Sequence, residues 1–156
     1  MKAQAHVNPW WAALTVWGVV NAVNVLQAVG FLSRVVTGSR AINHILGYGM
    51  IALGVPAILA IVAFARGRTG LRQWIGLVVF LTFLAFMIIV EHIWPVEFRS
   101  PVRNDIRAPY LVLFFGSIFL MGVPMFRMDR RLWLVTVATT VLLLAAMVVA
   151  MAAGVG

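Results

Sequence analysis

The feature that most constrains this chain is the length of its apolar runs. Hydrophobic residues come in stretches near 20, the length that carries an α-helix across about 30 Å of hydrocarbon at about 1.5 Å per residue. The runs lack period-two alternation and are about twice as long as the strands of a membrane barrel. Backbone groups that face lipid must be satisfied within their own segment, which leaves helices. The expected fold is therefore all-α, a polytopic transmembrane helical bundle. Its five spans are expected at about residues 10–31, 41–65, 71–94, 109–126 and 130–154, in a single integral membrane domain over 1–156. The fourth run is short and carries Pro124 near its end, so four spans plus a re-entrant segment is the alternative.

Charge agrees with this reading. The chain is 63% hydrophobic and 10% charged, too few charges to clothe a soluble surface, which usually needs about a quarter. Its net charge of +8 comes from 12 basic residues against 4 acids. Most of the basic residues sit in the short connections "SRVVTGSR", "RGRTGLRQ", "EFRSPVRNDIRA" and "RMDRR". That is the flanking pattern of membrane helices rather than a nucleic-acid surface. Lys2, Arg66, Arg68, Arg72, Arg127, Arg130 and Arg131 fall on one side, and Arg34, Arg40, Arg99, Arg103 and Arg107 on the other. The more basic side is expected inside, which places the N-terminus in the cytoplasm and the protein in the plasma (inner) membrane of a prokaryote. There is no cysteine, which excludes disulfide, thiolate and iron–sulfur chemistry. The first run is too long for a signal-peptide core and lacks a small-x-small exit, so it reads as a true span.

Several local signals set the ends. Asn8 and Pro9 suit a helix start, and Trp10 and Trp11 suit the headgroup level. Pro95 should stop the third span, Asp129 should cap the fifth, and Pro56 should disturb the second.

Within the apolar runs the ionisable residues are Glu91 and His92, in "IIVEHIWP", and His44. Asn21, Asn24, Gln27 and Asn43 accompany them. Burying such groups in lipid is costly unless they face the bundle or water, which makes them candidates for function. Short loops make successive spans antiparallel neighbours. Asn24, Gln27, His44, Glu91 and His92 are then expected at similar depth near the outer leaflet, with His6 on the other side. Gly47 and Gly54 follow His44 at helical spacing, a stripe that points His44 inward. Glu91 and His92 are consecutive and lie about 100° apart on an α-helix, so both cannot face inward equally.

These residues support competing readings. One is a binding or accessory module that acts without chemistry. Its polar pocket of Asn24, Gln27, His44, Glu91 and His92, under a loop bearing Arg99 and Arg103, would take an anionic lipid head, a small ligand or a partner subunit. Membrane lipids are then its partners. Ala146, Ala150 and Gly154 would suit a homo-oligomer or a place in a membrane complex. A second is a redox protein holding haem b between His44 and His92, or a metal ion on His44, His92 and Glu91. A third is an ion or small-solute transporter along Asn21, Asn24 and Gln27 to Glu91. The plainer reading has Glu91 and His92 snorkelling from a helix end and the asparagines bonding across helices. No catalytic signature is present.

Overall fold

The computed structural model describes residues 10–39, 41–94, 96 and 103–155. It is all-α, with five helices each long and apolar enough to cross a membrane. The protein is a multi-span integral membrane protein. α1 (Trp10–Thr37) is the first span. α2 (Ala41–Ala52) and α3 (Gly54–Arg66) together form the second. A 3₁₀ turn, Leu71–Gln73, leads into α4 (Ile75–Ile88), which runs on through a π-helical turn, Ile89–Ile93, to complete the third. α5 (Asn104–Met128) and α6 (Arg130–Ala152) are the fourth and fifth.

The ends follow from local chemistry. α1 continues past the expected boundary to Thr37, and the Ser33 and Thr37 hydroxyls donate to carbonyls of the preceding turn, Gly30 O at 2.9 Å and Ser33 O at 2.7 Å. It stops at Gly38, whose φ of +63° suits glycine, with the Gly38 amide on Arg34 O at 2.9 Å. Arg34 therefore belongs to the helix and not to the loop. The second span is interrupted at Leu53, within a turn of Pro56, whose missing N–H leaves a gap in the ladder. Asp129 caps α6 by accepting from the Arg131 amide at 2.7 Å. The fourth span is a 25-residue helix that passes through both Pro109 and Pro124, and this removes the re-entrant alternative. Asn8, Pro9 and Pro95 lie outside the described residues.

α1 is the central helix. It packs most extensively on α6 and also touches α2, α3 and α5. The α1–α6 seam is polar. The Trp17 indole donates to Leu132 O at 3.0 Å, and the Asn21 amide donates to Thr136 Oγ1 at 3.2 Å. Thr139 Oγ1 donates to Asn21 Oδ1 at 2.7 Å. The Asn24 amide donates to Thr139 and Thr140, both at 3.0 Å. Helices in lipid gain little from apolar burial against each other, so such bonds and close packing carry the association. α4 and α5 form the second extensive contact, made close by Gly76. A Cβ there would lie 2.6 Å from the Met121 amide nitrogen.

Alternating direction gathers five helix ends at one end of the bundle: the last turns of α1 and α6, the first of α2 and α5, and the π-turn after α4. The opposite end carries Arg66, Arg68, Arg72, Arg127, Arg130 and Arg131, all exposed.

Candidate binding site

The site begins with the π-turn. Its bonds run over more than four residues, as in Trp94 N to Ile89 O at 2.7 Å. This turn is wider than an α-turn, and such segments often accompany functional sites. Glu91 and His92, expected to diverge, line the same chamber. That chamber is about 70 Å³.

Four structural pieces enclose it. Gln27 and Arg34 come from α1, Asn43, His44 and Gly47 from α2, Met87 from α4 with Glu91 and His92 from its π-turn, and Tyr110 from α5. Gln27 and Arg34 are seven residues apart, two helical turns, and so share a face. Arg34 is 7% exposed. Its guanidinium lies 5.3 Å from the Phe31 ring centre. With the Asn43 amide turned so that its oxygen meets donors, Oδ1 accepts from Arg34 Nε at 2.7 Å and from Nη2, while Nδ2 donates to Gly30 O at 3.0 Å. Arg34 and Glu91 thus bring opposite charges into one small chamber, which offsets the cost of either alone. Tyr110 donates its hydroxyl to Glu91 Oε1 at 3.2 Å. The Tyr110 ring is held edge-on to Phe83, with centres 5.1 Å apart.

His92 differs from its neighbours. Both of its ring nitrogens are buried and have no hydrogen-bond partner among the described residues. Two rings of α2 pack against it edge-on, His44 at 6.3 Å and Tyr48 at 5.5 Å between centres. Both are exposed, and they screen His92 on the α2 side. His44 is therefore a residue of the chamber's mouth, not the inward-pointing one expected from the glycine stripe. Of that stripe, Gly54 does approach a neighbour, with its Cβ position 3.3 Å from Leu84 Cδ1, whereas Gly47 faces open space.

The other candidates separate. Asn24 is fully buried but belongs to the α1–α6 seam and does not line the chamber. Connectivity suggested α2 and α4 as its neighbours; its amide turns to α6 instead. Arg103 is exposed and pairs with Asp105 at 2.8 Å. Arg99 lies outside the described residues. Arg34, read from sequence as a loop residue, and Tyr110, just inside the expected fourth span, complete the site although neither was among the expected pocket residues. The seven-residue spacing from Gln27 to Arg34 was the available signal.

Among the described residues, no group of three His, Cys, Asp or Glu side chains is placed to hold a metal ion. Cofactor pockets usually measure about 300–1,000 Å³, so the 70 Å³ chamber has no room for a haem between His44 and His92.

The chamber has a neighbour. A groove of about 220 Å³ runs between α1, α5 and α6 and shares Gln27, Arg34 and Tyr110 with it. Its other walls are Phe31, Leu111, Phe114, Phe115, Met147 and Met151, and Arg107 stands at the same end of the bundle as Arg34. Among the described residues, no carboxylate lines the groove. Comparison with protein-family models, with curated proteins and with solved structures found no match to this chain.

Proposed function

We propose that this membrane protein binds an anionic amphiphile, with the acidic head against Arg34 and Arg107 and the chain along the groove between α1, α5 and α6. One observation carries the reading: an apolar, aromatic groove ends in two guanidinium groups, and no carboxylate of the described residues lines it. A guanidinium fork matches carboxylate and phosphate geometry. The aromatic and methionine walls suit a hydrocarbon chain. Leu111 and Met151 are exposed at the rim, so a chain can enter from the lipid and continue into it. The volume, below that of a closed ligand pocket, fits partial enclosure of this kind.

The test is retention of a defined amphiphile. Protein purified in a neutral detergent is exchanged with phosphatidylglycerol or decanesulfonate and followed by native mass spectrometry. Arg107→Gln should reduce occupancy roughly tenfold, as expected for losing one charge-assisted contact of ~1.5 kcal/mol. Leu111→Trp, which fills the groove, should reduce it further. Wild-type occupancy in both variants would refute the reading.

A further inference from the structure

One polar side chain stands in the part of the groove meant for hydrocarbon. Gln27 precedes Arg34 on α1 by two helical turns, about 10 Å along the axis at about 1.5 Å per residue, and so lies deeper in the membrane. On the antiparallel α5, Phe114 follows Arg107 by the same two turns. Gln27 therefore shares the deep part of the groove with Phe114 and Phe115. It is half-buried, and its carboxamide makes no hydrogen bond to any described residue. The other carboxamides of the first two spans are engaged. Asn21 and Asn24 bond the threonines of α6, and Asn43 bridges Gly30 O and Arg34.

A carboxamide in a membrane-spanning segment offers two donors and an acceptor that lipid tails cannot meet. A plain alkyl chain laid along the groove would desolvate it and return no hydrogen bond. An acceptor carried a few bonds inside the acidic group would meet it. The Arg34 guanidinium is drawn back over Phe31, toward Gln27. Charge and carboxamide are thus between one and two turns apart in depth, about 5–10 Å. The ester carbonyls of a glycerophospholipid stand at that remove from its phosphate.

We propose that the ligand is a diacyl glycerophospholipid with an anionic head, its phosphate against Arg34 and Arg107 and an ester carbonyl accepting from the Gln27 amide. One acyl chain lies in the groove. The other stays in the surrounding lipid, beyond the exposed Leu111 and Met151. The inference rests on the groove being the headgroup site.

The test sets two phosphatidylglycerols against each other in neutral micelles, alike in head and chain length, one with ester-linked and one with ether-linked chains. Their charge is the same, and the carbonyls distinguish them. Native mass spectrometry of the wild-type protein should show the diester lipid retained about fivefold over the diether, the worth of one ordinary hydrogen bond. Gln27→Leu should retain the two alike, with its retention of the diether lipid no lower than that of wild type. Equal retention of both lipids by wild type overturns this inference and leaves the groove reading standing. Retention of neither overturns the groove reading itself. A preference for the diester lipid that persists in Gln27→Leu removes Gln27 as the donor and overturns the assignment.

Discussion

Gly76→Ala offers the sharpest test of the packing. The added methyl carbon would stand 2.6 Å from Met121 N, 2.7 Å from Leu120 C and 2.9 Å from Met121 Cγ. Two of these three are backbone atoms, which cannot rotate aside. Restoring an ordinary contact of 3.4 Å requires α4 and α5 to part by 0.8 Å, the difference between 3.4 and 2.6 Å. Overpacking of this sort costs about 1–3 kcal/mol, and rigid obstacles put it near the top of that range. Alanine returns about 1 kcal/mol of helix propensity. The net loss is about 2 kcal/mol, roughly thirtyfold in the folded-to-unfolded ratio. Reversible unfolding in mixed micelles measures it. Gly116→Ala is the control, because nothing lies within 4 Å of a Cβ there. It should be neutral or more stable by up to about 1 kcal/mol. If Gly76→Ala proves no less stable than Gly116→Ala, the close approach of α4 and α5 is refuted.

Other outcomes follow from the same geometry. Arg34→Met should destabilise by about 3–5 kcal/mol, because Glu91 would keep its charge in the chamber without that cation. Adding Glu91→Gln should recover part of the loss, and a double variant no better than Arg34→Met would count against their compensation. Asn24→Val should cost about 1–2 kcal/mol in the same unfolding assay, and Thr139→Val should be non-additive with it if the seam is as described. Arg103→Ala, which breaks an exposed pair, should leave both stability and amphiphile retention unchanged. A clear loss of retention would return the basic loop to consideration.

The fold was legible because hydrocarbon allows so few solutions: a run of about twenty apolar residues must be a helix. The capping role of Asp129 was equally readable. The site was readable only in part, for three physical reasons. Glu91 and His92 were expected to diverge because an α-turn separates consecutive residues by about 100°; both nevertheless line one chamber, and no residue in "IIVEHIWP" announces the π-turn. Arg34 was assigned to a loop because the polar Ser33–Arg34 pair reads as the end of the apolar run, whereas the helix continues to its glycine stop at Gly38. Asn24 was assigned to the wrong neighbours because chain order favours adjacent spans, whereas α1 takes its principal partner from α6. Nothing local to Asn24 distinguishes these pairings. The threonines at 136, 139 and 140 hold the complementary information, 115 residues or so away along the chain.

That separation has a meaning for biogenesis. At about 5–20 residues per second, the 115 residues between Asn24 and Thr139 take roughly 6–23 s to synthesise. Through that interval α1 stands in the membrane with an indole N–H and two carboxamides whose destined acceptors and donors have not left the ribosome. The central helix of the bundle is thus inserted before α6 is made and completed only when α6 arrives. A nascent chain stalled before α6 displays its incompleteness as polar groups in the bilayer, where membrane quality-control factors can find them.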